Sequence, residues 1–206
     1  QASFADVFGG VPIDVGTTAG LETDSYSVFG QMEVDLTDRV TLIGGLRAMR
    51  EEKDFELNIG VAPSESSFVV NTHPCFSDAS QCFPGTGVEY SDDVSENYWT
   101  GKLQVTFDMS DDLMLYGGVN RGVKAGSYNA PLLGAFYGAG GPGSLPYDEE
   151  VLTSYEGGFK ATLGDGLTRI NGSVFYYDYA DYQAFLFVGV GGVVINRDAD
   201  NYGAEI

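Results

Sequence analysis

The sequence predicts an all-β fold, an antiparallel transmembrane β-barrel segment of about seven strands within a larger barrel. Three observations predict it. Strand-like runs meet at very short turns, Leu36-Thr37-Asp38-Arg39, Met109-Ser110-Asp111-Asp112 and Leu163-Gly164-Asp165-Gly166, while their other ends are joined by long Gly-, Pro- and acid-rich stretches. Tight hairpins at one end and long loops at the other are the pattern of outer-membrane barrels, with periplasmic turns and extracellular loops. The runs are also long. Globular strands centre near ~5–6 residues, whereas a tilted strand needs about 9–11 to cross the hydrocarbon, so length argues against a soluble β-sandwich whose strands would alternate in the same way. Finally, aromatic residues near run ends, such as Tyr26, Trp99 and Tyr176, suit interfacial girdles.

Residues 1–24 lack periodicity and basic residues and read as the end of an external loop. Strand pattern then covers 25–54. Tyr26, Val28, Gly30, Met32, Val34 and Leu36 share one face, continued after the turn by Val40, Leu42, Gly44, Leu46 and Ala48. Residues 55–96 read as an external loop. Strands resume over 97–125, with Trp99, Gly101, Leu103, Val105 and Phe107, then Leu113, Leu115, Gly117 and Val119, on the apolar face. A second external loop spans 126–149, and its Gly138–Ser144 core is expected to be mobile. Strands over 150–183 place Tyr155, Gly157, Phe159, Ala161, Leu163, Ile170, Gly172, Val174 and Tyr176 on that face. The run from Ala184 to Ile195 is too short and Gly-broken for a membrane helix; residues 184–192 are assigned to a third external loop and 193–206 to a last strand.

Charge and cysteine content narrow the class of protein. With 10 Lys+Arg against 30 Asp+Glu, a net charge of -20 excludes nucleic acid as a partner. Cys75 and Cys82 sit close together in the first long loop, and in an oxidising compartment such a pair forms a local disulfide. That reading is preferred to a zinc site with His73, because no fourth ligand is near and the spacing fits no common zinc pattern. From Asp54 to Gly101 there are eight acids and no Lys or Arg. Glu89, Asp92, Asp93 and Glu96 offer the oxygen ligands a loop-bound Ca²⁺ would use. They lack the EF-hand pattern, so a solvated acidic surface, bridged to lipopolysaccharide by divalent cations, is the preferred reading.

Arg47, Lys102, Lys160 and Arg169 fall on the polar faces, which a barrel turns toward its lumen. Pairing with Glu33, Glu51 or Glu156 is the preferred account of them; contact with a plug domain or an anionic solute is the alternative. Seven open strands would leave unpaired edges in lipid, at several kcal/mol per group, so the chain is expected to be an internal piece of a larger closed barrel.

Several phrases carry a family resemblance. They are Asp24-Ser25-Tyr26-Ser27-Val28-Phe29-Gly30-Gln31, Leu36-Thr37-Asp38-Arg39-Val40-Thr41-Leu42, Gly44-Gly45-Leu46-Arg47, and Leu115-Tyr116 through Asn120-Arg121-Gly122-Val123-Lys124-Ala125-Gly126. Thr153-Ser154-Tyr155-Glu156-Gly157-Gly158-Phe159-Lys160, Phe175-Tyr176-Tyr177-Asp178-Tyr179, and Asn196 with Ala199, Tyr202, Gly203 and Glu205 follow in order. Together they resemble the middle barrel of TonB-dependent outer-membrane receptors. The resemblance implies a 22-stranded barrel with an N-terminal plug, in the outer membrane of a Gram-negative bacterium. It implies active import of a scarce solute, a ferric siderophore first, an oligosaccharide or cobalamin as alternatives. Energy would come from TonB through a plug that lies outside these residues. A passive porin or a structural surface barrel is the runner-up. No enzyme is expected, since one loop histidine cannot build a Ser-His-Asp set. The small-molecule ligand would be captured by the extracellular loops. Candidate contacts at the outer strand ends are Tyr98, Trp99, Arg121, Lys124, Tyr128 and Tyr147, through ring stacking or pairing with anionic chelates; the alternative is that the aromatics are girdle or loop-packing residues.

Overall fold

In a computed structural model the described residues are 13–63, 87–130, 145–164, 166–188 and 191–206. They form nine strands: β1 (Ile13–Thr37), β2 (Val40–Pro63), β3 (Val88–Ser110), β4 (Leu113–Lys124), β5 (Ser127–Tyr128), β6 (Pro146–Tyr147), β7 (Glu150–Leu163), β8 (Thr168–Val188) and β9 (Gly191–Glu205). Seven make one sheet in the order β1-β2-β3-β4-β7-β8-β9, each neighbouring pair antiparallel. The pair β5 and β6 forms a small separate ladder inside the β4–β7 connection. His73, Cys75, Cys82 and the Gly138–Ser144 segment lie outside the described residues.

Local chemistry closes the three short turns. The Thr37 hydroxyl accepts from the N–H groups of Arg39 (3.2 Å) and Val40 (3.1 Å), the side-chain-to-backbone bond that favours Thr and Ser in turns. Ser110 does the same for Asp112 at 3.3 Å. In the third turn Gly164 and Gly166 take φ of +62° and +92°, values that a Cβ would strain, and the Leu167 N–H donates to Gly164 O at 3.2 Å.

Directly opposed residues of an antiparallel pair share a face, so the register tests the alternation read from sequence. It aligns Leu42, Val105, Gly117, Gly157 and Val174 in one row, and Gly44, Leu103, Val119, Tyr155, Tyr176 and Tyr202 in the next. The apolar positions of successive strands thus form one continuous face. Starting from the short turns, its apolar run covers Tyr26 to Leu36, Val40 to Ala48 and Trp99 to Phe107, close to the roughly 9–11 residues that cross hydrocarbon. Beyond that run the same face turns polar at Asp24, Arg50, Asn97, Asp178 and Asp200. Tyr26, Trp99, Tyr155, Tyr176 and Tyr202 mark the boundary, each exposed.

The strands extend further from the short turns than alternation indicated. β1 begins at Ile13 within the expected loop 1–24, and β2 and β3 pair from Ile59↔Val88 downward within the expected loop 55–96. Residues 126–149 contain β5 and β6, and within 184–192 the ladder of β8 and β9 continues as far as Val188↔Gly191. The physical reason is that these outer extensions have water on one side or both. Hydrogen-bonded ladders persist there without an apolar/polar rhythm. A β-bulge adds to the difference: between the pairs Tyr179↔Ala199 and Tyr182↔Arg197 there is one extra residue on β8, and Asp181 there has φ of 55°. One extra residue moves every later side chain to the opposite face.

Candidate functional site

The buried hydrophobic residues lie on the polar face, at its outer end. Phe55 and Leu57 of β2 form a core with Leu145, packed against Tyr90 of β3 and Tyr128 of β5. Phe55 and Tyr128 stack with ring centroids 4.5 Å apart and 1° between planes. Tyr90 tilts against both, at 6.1 and 6.5 Å. Both phenols donate to Asp92 Oδ2, Tyr90 at 2.9 Å and Tyr128 at 3.1 Å. Burial first, then the hydrogen bond to Asp92, raises both phenols above their ordinary value of 10.0. They therefore stay protonated donors at physiological pH; the stabilisation is present below about pH 10 and lost as pH rises through the folded-state values. The cluster draws the start of the β4–β7 connection inward, over β2 and β3.

Three buried or half-buried amides hold the far side of that connection. Gln183 Nε2 donates to the carbonyls of Ala125 (2.9 Å), Asp148 (3.0 Å) and Lys124 (3.4 Å). Asn196 Nδ2 donates to the carbonyls of Asp148 (3.0 Å) and Asp181 (2.7 Å). Asn129 acts as a one-residue strand partner for β9: Val194 N–H donates to its Oδ1 at 2.7 Å, and its Nδ2 donates to Val194 O at 2.9 Å. Gly126 lets the connection pass close to its own return, since a Cβ there would lie 2.6 Å from Tyr147 O. Gln183→Ala takes the side-chain donor from the carbonyls of Ala125 and Lys124 and one of two from that of Asp148, at about 1–3 kcal/mol for each carbonyl left buried and unmet. Faster amide hydrogen exchange over Leu145–Glu150 is the expected outcome in the full-length receptor; unchanged exchange would show that Gln183 does not hold the connection.

Beneath the connection is a cavity of about 110 Å³ lined by Tyr98, Tyr128, Tyr147, Asp92, Glu96, Asp148 and Glu149, among others. Three of the six sequence-predicted contacts, Tyr98, Tyr128 and Tyr147, are thus brought together. Tyr98 is 7% exposed, and the Gly126 backbone hydrogen-bonds it. Tyr128 is committed to packing, through Phe55 and Asp92. Lys124 stands opposite Glu150 at the head of the β4–β7 ladder, but Glu150 Oε2 instead accepts from Gln183 N at 2.8 Å.

Trp99 and Arg121 are placed elsewhere. Arg121 is paired with Gly101, two residues from Trp99, so both lie on the apolar face. The Arg121 guanidinium sits 4.2 Å from the Trp99 ring centroid and donates to Trp99 O. Sequence reading placed Arg121 at the start of one loop and Trp99 at the end of another, and the contact between them is not visible without the register.

The polar-face bases also differ from expectation. Arg47 Nη2 donates to Ser27 Oγ at 3.0 Å, and Lys160 lies 5.9 Å from the Tyr116 ring centroid. Glu51 is taken by Lys53 at 2.5 Å, and Glu156 accepts from the Tyr116 hydroxyl at 2.7 Å. Neighbours two apart on one strand share a face, which is why Lys53 reaches Glu51 before a more distant base does. No ion pair among the described residues involves Arg47, Lys102, Lys160 or Arg169. The four acids of the alternative calcium reading are dispersed as well. Glu89, Asp92, Asp93 and Glu96 lie in strand β3, so Asp92 and Glu96 alternate with Glu89 and Asp93 across the sheet. Among the described residues no three acidic, His or Cys side chains are grouped as a metal would need.

A long-stranded antiparallel sheet with a girdled apolar face and a hydrated face crowned by an inward-packed connection defines a membrane β-barrel segment. The chain belongs to the family described as TonB dependent receptor-like, beta-barrel, whose model matches residues 2–206. This places the protein in the outer membrane of Gram-negative bacteria. Among solved structures it is similar to the ferric yersiniabactin uptake receptor FyuA from Yersinia pestis, at 17% identity and a TM-score of 0.59 over 82% of this chain. The alcaligin outer-membrane receptor FauA from Bordetella pertussis aligns at 11% identity and a TM-score of 0.37 over 92% of this chain. The chain spans 22% of the first of those structures and 36% of the second. Among curated proteins none matches the chain.

Proposed function

We propose that this chain forms part of the barrel of an active importer that captures a ferric siderophore or a similar scarce chelate at its extracellular end. The observation that carries this reading is the β4–β7 connection, pinned over the polar face by Phe55, Tyr90, Tyr128 and Asp92. In this reading Lys124 and Tyr147 are the groups a solute arriving at the outer mouth would meet, with Tyr98 buried beneath them as a support. Family membership supports import, and the fold shared with a siderophore receptor supports the chelate as first choice. Two further elements belong to this proposal. Strands β1 and β9 each have one ladder partner, and additional strands complete the ring, 22 in all by family pattern. A plug contacts TonB, and outer-membrane lipid and lipopolysaccharide surround the barrel.

The test is uptake of labelled ferric siderophores by cells carrying the full-length receptor. The expected result is accumulation that collapses on adding a protonophore, because import needs inner-membrane energy. Accumulation insensitive to the protonophore would favour a passive porin. Protonophore-sensitive uptake of an oligosaccharide or cobalamin instead would keep the importer and change the ligand.

A further inference from the structure

We propose that Arg121, stacked on Trp99, is an anchor for a phosphate group of the outer-leaflet glycolipid, with the groove below it taking acyl chain. The argument begins with position. Arg121 shares a ladder row with Gly101 and Thr153, one step outward from the row Leu103, Val119, Tyr155, Tyr176 and Tyr202. It therefore sits on the lipid-facing side, at the level where apolar residues give way to Asp178 and Asp200 on the same face. A cation at that level is tolerated near the headgroups and unfavourable deeper in.

Its contacts leave binding capacity. One N–H goes to Trp99 O and the guanidinium plane lies against the Trp99 ring, which is half-exposed. No ion pair among the described residues involves Arg121. A guanidinium has five N–H donors in a fork that matches phosphate. The stack on Trp99 holds that fork in place without neutralising it. Arg50, also on the apolar face, is by contrast paired with Glu52 at 2.7 Å.

Running inward from Trp99 past Arg121, an open groove of about 390 Å³ is bordered by Leu46, Gly101, Leu103 and Val119, with Lys102 also at its edge. An arginine above an apolar groove matches an anionic head above a hydrocarbon chain. A chain of net charge -20, with acids above the band on this face, repels phosphates elsewhere. That contrast picks out Arg121 as the attachment point and selects a lipid over a free anion, which would gain nothing from the groove.

The experiment uses the full-length receptor in neutral detergent, titrated with lipid A and followed by native mass spectrometry. Wild type is expected to retain diphosphorylated lipid A. Arg121→Gln should bind it about tenfold more weakly, the loss of one charge-assisted contact, and Arg121→Lys should fall between. Lipid A stripped of phosphate should bind wild type and Arg121→Gln equally and weakly. Equal affinity of wild type and Arg121→Gln for the phosphorylated lipid would overturn the assignment. So would equal wild-type affinity for the two lipids, a comparison that stands even if a variant fails to fold. Displacement of the lipid by equimolar inorganic phosphate would also overturn it, by making the groove irrelevant.

Discussion

Val105→Arg in the full-length receptor is expected to prevent stable insertion into the outer membrane, whereas Gln104→Arg, one residue away, is expected to be tolerated. Val105 stands in the row of Leu42, Gly117, Gly157 and Val174, wholly apolar and inside the band bounded by Trp99 and the Met109–Asp112 turn. An arginine on the lipid face costs about 2–4 kcal/mol near the midplane, a large part of the roughly 5–15 kcal/mol that stabilises a typical fold. Gln104 pairs with Ile43 and Gly118 on the opposite face, where water can solvate a new charge, and a shift within about 0.5 kcal/mol is expected. Heat-modifiable migration of extracted outer membranes on gels reads out the folded barrel. Equal loss of folded receptor in both variants would contradict the facing, because the two positions differ only in which side of the sheet they occupy.

The second large effect is expected at Phe55. It is 3% exposed and carries the stack with Tyr128. Phe55→Ala removes a buried ring, a change that typically costs about 3–5 kcal/mol. The cost falls on the docking of the β4–β7 connection, because the ring contacts Tyr90, Tyr128 and Leu145, above the membrane band. Amides of Ser127–Asn129 and Leu145–Tyr147 should exchange with solvent far faster, while those of Leu103–Phe107 stay protected. Tyr128→Phe is milder: it keeps the stack and removes one donor to Asp92, at about 1.5–3 kcal/mol for a bond to a charged group. If Phe55→Ala leaves the connection's protection unchanged, the aromatic cluster does not hold it, and the proposed capture surface loses its support.

Much of the sheet was legible where each strand has oil on one side and water on the other. There the period of two is physically enforced, and the faces read for Tyr26–Leu36, Val40–Ala48, Trp99–Phe107 and Tyr155–Leu163 coincide with the ladder register. The short turns were legible because Thr37, Ser110, Gly164 and Gly166 are turn chemistry in their own right. Above the band that contrast disappears. Glu89-Tyr90-Ser91-Asp92-Asp93 carries polar groups on both faces, so nothing in the pattern marks it as strand, although Tyr90 pairs with Leu57 and Asp92 with Phe55. Phe55 and Leu57 lie on the face that is polar lower down, packed by a connection whose path the sequence does not encode locally. The site was half legible for the same reason. Tyr98, Tyr128 and Tyr147 were found as aromatics near loop ends, whereas Gln183, Asn129 and Asn196, which position the connection, are ordinary amides until their backbone partners are known. Arg121 was read as the start of a loop, and its stacking on Trp99 became visible only once the ladder set it opposite Gly101.

The central claim is that lipid covers one face of this sheet and water the other. It is tested by placing nitroxide labels singly in the full-length receptor in lipid vesicles, at Met32, Val105 and Val174 and at their neighbours Gln31, Gln104 and Ser173. Relaxation by oxygen and by a water-soluble nickel chelate is then compared. The account predicts that the first three favour oxygen and exclude the chelate, and that the second three do the reverse. Neighbouring labels that respond alike, with no alternation, would contradict it.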